Sequence, residues 1–309
     1  MKTWFAGGIC CLLLFLPITA FGQKSVAEEK KAYSEGMKKL LEDGPDSAEK
    51  FFEEKSLESG DPRQLYGLAW AAFYQRDFKK TGHILEMLLN SDINLHFQAS
   101  CLLLQGHLHM ELERFEASKQ AFLESIDLYG DYQAYGNMVR GYLGLAEALF
   151  RQQQFQKADF YLNRAFTVFT QKEINEALLG HFYHLKAQIA FEKGNYHGAV
   201  RYVKKGIEQH KIDGHIRLLA GNMADLGAFY FFTGNLTEAR LATEEARAIV
   251  EANDDAEVRP WIELNDLLIK RCTGLPYDEH LERITAFQKV KYSFRLKRMV
   301  QFALAWECP

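Results

Sequence analysis

Small side chains return along this chain at a spacing that leaves few folds open. Phe78, Phe115, Phe155, Tyr196 and Leu236 each open an apolar-periodic segment, at separations of 37, 40, 41 and 40 residues. Three places after each stands Thr81, Ser118, Ala158, Ala199 or Ala239. Nine places before stands Ala69, Gly106, Ala146, Ala187 or Gly227, and ten after stands Leu88, Ser125, Ala165, Gly206 or Ala246. Fourteen of these fifteen places hold Gly, Ala, Ser or Thr. A fixed period of this length marks a stack of like units, each too small to bury its own apolar face. Between Pro62 and Pro260 lie 197 residues without a proline, where average usage (~5%) would place roughly ten. Proline breaks helix interiors, so its absence predicts helix throughout. Two antiparallel helices per unit follow, crossing where small residues let their axes approach. The aromatic opens the second helix, and Gly194-Asn195 and Gly234-Asn235 suit the turn before it.

These places resemble the tetratricopeptide-repeat family over residues 62 to about 252, in five units. The units are longer than the family's, its Trp place holds Leu65, Leu102, Tyr142, Tyr183 and Met223, and its closing Pro is missing. The resemblance implies an all-α, right-handed α-solenoid of stacked antiparallel helix pairs with helical caps. Residues 23–60 form the N-terminal cap, 61–257 the five repeats, and 258–309 a divergent C-terminal cap. Pro260 and Pro276 stand near helix starts, where proline is tolerated.

The first twenty-two residues read as a secretory signal peptide. Lys2 gives a positive start, Ala6 to Leu16 an apolar run, and Ala20-Phe21-Gly22 a cleavage site before Gln23. The mature chain is expected to be exported, periplasmic or secreted. Only Cys101, Cys272 and Cys308 follow the leader, too few and too scattered for a disulfide framework. Cys101 reads as a small buried apolar residue, and Cys308 pairs only if the tail folds back.

Composition is that of a globular protein, 48% hydrophobic and 25% charged, and a net charge of −4 argues against nucleic acid as a partner. No phosphate-binding glycine loop, His-Glu-x-x-His, Gly-x-Ser-x-Gly or Cys-x-x-Cys occurs. His181 and His184 share a helical face but have no third ligand in view, so neither a metal nor a cofactor is expected. Acidic pairs such as Glu53-Glu54 read as solvated helix faces, and the chain reads as non-enzymatic.

In tetratricopeptide folds the first helices line a concave surface that takes peptides. Carried over by unit position, that surface holds Tyr66, Trp70, Phe73 and Tyr74, then His107, Met110 and Glu111. The third unit adds Arg140, Glu147, Phe150 and Arg151, the fourth His184, Gln188, Phe191 and Glu192, and the fifth Phe231 and Phe232. Aromatics and Arg carry most interface energy, so another protein or peptide is the expected partner. Lys289, Lys291, Arg295, Lys297 and Arg298 interleave with Val290, Tyr292, Phe294 and Leu296, which makes that helix a candidate for membrane contact. The role implied is a scaffold, adaptor or assembly chaperone. Rival readings are a sensor module of a larger envelope signalling system, or a glycan-acting helical enzyme for which Glu111, Glu147 and Glu192 are the available acids.

Overall fold

The computed structural model describes residues 26–172, 174, 178–253, 258–273 and 294–306. The leader at 1–22 and the basic residues Lys289 and Lys291 lie outside the described residues, as does the side chain of Arg295. Fourteen helices and no strand occur among the described residues, so the all-α solenoid class holds. None of those helices is long and apolar enough to cross a membrane.

The chain forms two compact units, divided after Ile93. The first holds α1 (Val26–Glu42), α2 (Pro45–Ser59), α3 (Pro62–Tyr74) and α4 (Phe78–Leu89). The second holds α5 (Leu95–Glu111), α6 (Phe115–Asp131), α7 (Tyr135–Arg151), α8 (Phe155–Gln171) and α9 (Leu179–Glu192). It continues with α10 (Tyr196–Asp213), α11 (Ile216–Phe232), α12 (Leu236–Asn253), α13 (Arg259–Cys272) and α14 (Phe294–Ala305). The division falls after the first of the five repeats, inside what reads from sequence as one continuous run. A full helix stop and a fresh start stand there. Asn90 caps α4, and the Asn94 side chain accepts from Phe97 N to begin α5.

The four repeat aromatics and Leu236 are the first residues of α4, α6, α8, α10 and α12. Two places before each, the backbone is left-handed: Arg76, Glu113, Gln153, Gly194 and Gly234 have φ of 64°, 57°, 60°, 74° and 78°. The amide after each then reaches back to a carbonyl five residues earlier, as Arg114 N does to His109 O at 2.8 Å, closing the helix end. The turn is therefore one device at all five second-helix starts, with glycine at only two of them, and it recurs at Gln133 and Gly214 before α7 and α11.

All fifteen small-residue places are buried. Where they carry hydroxyls, these donate to carbonyls and remove the cost of a buried polar group: Ser118 Oγ to Gly106 O and Ser125 Oγ to Ala99 O, both 2.8 Å. A large knob seven places into most second helices fills the crossing: Phe52, Leu85, Phe122, Leu162 and Val203 are all buried. The Phe122 ring sits between Gly106 and Gly144, and the Phe52 ring between Gly36 and Gly67. The pair α1–α2 thus packs like the repeats although it lacks the opening aromatic.

In the second unit, α5 and α7, α7 and α9, and α11 and α13 lie side by side, each a first helix beside the first helix of a neighbouring pair. Helix α14 closes that stack. Phe302 meets Phe191 at 4.9 Å and Trp306 meets Phe232 at 5.0 Å between ring centroids. Cys101 is free and buried, and burial pushes its thiol up to about 12. Cys272 is disulfide-bonded.

Candidate functional site

A 17-residue helix between neighbours on two sides buries most of its circumference, and this decides which expected groove residues are available. Phe150 is buried yet lines a pocket, whereas Met110, Phe191, Phe231 and Phe232 are core, not groove. The last three lie under α14, which the sequence alone does not place there. In the first unit Tyr66 is buried, Trp70 and Phe73 are half-buried, and Tyr74 is exposed. Trp70 stacks on Tyr74 at 5.8 Å and meets Tyr66 edge-on at 6.3 Å, so α3 carries an aromatic ladder opening only at Tyr74. Arg140 is exposed at the start of α7.

The second unit contains a pocket of about 340 Å³. Its walls come from four first helices: Glu147, Phe150 and Arg151 of α7, His181, His184 and Gln188 of α9, Arg217, Gly221 and Asn222 of α11, and Trp261 of α13. His210, from the end of α10, closes one side.

Two polar clusters stand in and beside it. In the first, Arg151 bridges two carboxylates, Nη1 to Glu111 Oε1 and Nη2 to Glu147 Oε1, both 2.9 Å. His181 Nε2 lies 3.9 Å from the other Glu147 oxygen. Burial works to raise the Glu147 carboxyl, but the charges of Arg151, His181 and His107, with the Arg151 hydrogen bond, hold it at about 2. Burial depresses His107 to about 4, against the pull of Glu147 and with the push of His181 and Arg151. At neutral pH Glu147 is therefore ionised against Arg151, beside the neutral His107 ring.

In the second cluster, His184 Nδ1 meets Asn222 Oδ1 and lies 3.5 Å from Asp225 Oδ2. Gln188 Nε2 donates to the same Asp225 oxygen at 2.8 Å. Asn222, Asp225 and Gln188 are all buried, and Asn265 Nδ2 continues the polar line to Ala224 O at 2.8 Å.

Besides the core residues Met110, Phe191, Phe231 and Phe232, eight of the expected residues fall outside this pocket lining. His107 and Glu111 support it from α5 through Arg151. Glu192 is held away by α14, where Arg298 grips both its oxygens, Nη2 at 2.6 Å and Nε at 3.1 Å. That pairing corrects one part of the basic C-terminal face: Arg298 is turned inward onto Glu192 and the Phe302 ring. Tyr66, Trp70, Phe73, Tyr74 and Arg140 complete the eight. Reasoning from repeat position missed His210, Arg217, Gly221, Asn222, Asp225 and Trp261. A signal for Asn222 and Asp225 was present: they stand three apart in the otherwise apolar run from Leu218 to Phe232.

Residues 99–132 and 180–209 match the tetratricopeptide repeat family. Among curated proteins, the chain is 24% identical over 201 residues to the MAU2 chromatid cohesion factor homolog of Drosophila virilis, covering 64% of this chain and 31% of that one. It therefore spans about a third of the length of the curated relatives it matches. Among solved structures, a Rap protein complexed with Competence and Sporulation Factor aligns at a TM-score of 0.67 with 14% identity, over 92% of this chain and 87% of that chain. The Rap conjugation gene regulator of the plasmid pLS20, in complex with the Phr* peptide, aligns at 0.61 with 13% identity, over 78% and 73%. These structures share the fold. Two stretches of the chain thus match the tetratricopeptide repeat, and the described helices form a solenoid of the same kind.

Proposed function

We propose that this protein is an exported, non-enzymatic adaptor that binds an extended segment of a protein partner along the first helices of its second unit. The observation that carries this is the pocket between α7, α9, α11 and α13. It combines the aromatic floor of Phe150 and Trp261 with fixed charged and amide groups, the composition that lets a cleft both bind and orient a chain. Its carboxylates are already paired, Glu147 with Arg151 and Asp225 with the Gln188 amide beside His184, which suits recognition by hydrogen bonding better than proton transfer. The Rap regulator solved with the Phr* peptide has the same fold and is a precedent for a peptide occupant. Export is supported by the leader-like residues 1–22 and by the disulfide at Cys272, a bond that persists in oxidising compartments.

The test uses Gly221. A Cβ there meets nothing within 4 Å, so a larger side chain grows into the pocket without disturbing the helix. The tagged wild-type protein is crosslinked in intact cells beside a Gly221→Phe variant shown by circular dichroism to be folded. Capture of one protein by the wild type and its loss from the variant is the expected result. An identical set of captured proteins in both would refute the pocket as the binding site. N-terminal sequencing of the mature protein tests export separately, with Gln23 the expected first residue.

A further inference from the structure

At the corner between α10 and α11, three metal-binding side chains converge: His210, Asp213 and His215. One ligand atom from each lies within 4.8 Å of the others. The chain arrives there by a tight device. Gly214, at φ 71°, ends α10, and His215 N reaches back to His210 O at 3.0 Å, folding His215 over the last turn that holds His210 and Asp213.

Two of these groups are poorly accounted for by the protein alone. His210 is 1% exposed, wedged against Gly180, yet its Nδ1 has no hydrogen-bond partner. Asp213 accepts from Gln209 Nε2 at 3.1 Å through Oδ1, while its buried Oδ2 has no partner either. A buried polar atom left without a partner is costly, and two of them in one cluster point to a missing ligand. The ligand must be positive to suit the carboxylate, and it would sit at the negative end of the α10 dipole.

We propose that His210, Asp213 and His215 form a zinc site. Two imidazoles and one carboxylate are the donor set this ion takes, with water as the fourth ligand. Zinc–ligand bonds of about 2.0–2.2 Å place tetrahedral donors roughly 3.3–3.5 Å apart, so the cluster must contract on binding. His215, exposed and following a glycine, supplies that movement while buried His210 stays fixed. Because His210 also lines the pocket, the ion would pin one pocket wall and join α10 to α11.

The test is zinc binding by the mature protein after chelator treatment, measured against a chromophoric competitor and followed by cobalt substitution. His210 is in the core and its removal threatens folding, so Asp213→Asn and His215→Ala are the variants. The expected result is one zinc per chain, a visible cobalt spectrum of tetrahedral type, and a zinc-induced rise in melting temperature. Each variant should lose roughly 100-fold or more in affinity, and the rise with it. Absence of stoichiometric binding would overturn the site. Equal affinity in wild type and variants would do the same, by moving the ion to other histidines such as His181 and His184.

Discussion

Gly144 tests whether the close approach of helices, and not helix propensity, governs the small positions of the stack. A Cβ at Gly144 would lie 2.5 Å from Phe122 Cε1 and 2.6 Å from Cζ. Ordinary carbon contacts are about 3.5–4.0 Å, so the ring would have to retreat by about 1 Å. It cannot retreat across the crossing, because a Cβ at Gly106 on the far side would already lie 2.7 Å from the same ring. Phe122 is fully buried and His107 stands edge-on to it at 5.0 Å. Gly144→Ala gains up to about 1 kcal/mol from helix propensity. Overpacking of this kind costs about 1–3 kcal/mol, so the net effect is destabilisation of up to about 2 kcal/mol. Urea unfolding followed by far-UV circular dichroism measures it. Phe122→Leu alone should cost about 1 kcal/mol for the void it leaves. Combined with Gly144→Ala it should cost less than the two single changes together, with a favourable coupling of about 1–2 kcal/mol as the new methyl fills that void. Gly221→Ala, with open space around its Cβ, is the control and should gain about 0.5–1 kcal/mol. Stability of Gly144→Ala at or above wild type, or strict additivity in the double variant, would refute the packing argument.

Other predictions follow from the turns and the charged clusters. Gln153→Gly and Glu113→Gly should each stabilise by about 0.5–1 kcal/mol, since both residues hold φ near 60°, and Gly194→Ala should cost about 1 kcal/mol; thermal melts decide it. Arg151→Met leaves Glu111 and Glu147 beside each other without a counter-charge and should cost about 2 kcal/mol by denaturant titration, below the range for fully buried pairs because the side chains keep some exposure. Acid should act in two steps. His107 takes up a proton more readily unfolded, at about 6.5, than folded, at about 4, so stability falls as pH drops through that window. Glu147 is ionised in the folded state down to about 2, and its contribution, present above 4.5, is lost between 4.5 and 2. Denaturant titrations across this range should show the lower step vanish in Glu147→Gln, and its persistence there would remove Glu147 as its source. Arg298→Ala should loosen α14 and raise hydrogen exchange in residues 294–306, with little change at α5 and α6.

What the sequence discloses and what it hides divide along a physical line. The crossing points are legible because they constrain side-chain volume at a fixed period, and volume is written in residue type. Even the αL turns are legible where glycine occupies them, at Gly194 and Gly234, and hidden where Arg76, Glu113 and Gln153 accept the strain. The N-terminal pair shows why the opening aromatic was the weaker marker. Phe52 does the work of Phe122 from the eighth residue of its helix, between Gly36 and Gly67, and needs no aromatic at Pro45. The pocket is harder to read, because a first helix flanked on two sides has few residues left to expose. Repeat position cannot tell Phe150, which is buried, from Arg151, one residue on, whose guanidinium bridges Glu111 and Glu147. Nor can it show that α14 returns over Phe191 and Phe232, because those contacts join residues 111 apart (Phe191 and Phe302) and 74 apart (Phe232 and Trp306). Buried polar residues offer the better guide. Asn222 and Asp225 interrupt an apolar helix at a cost that only partners can offset, and those partners, His184 and Gln188, are the pocket wall.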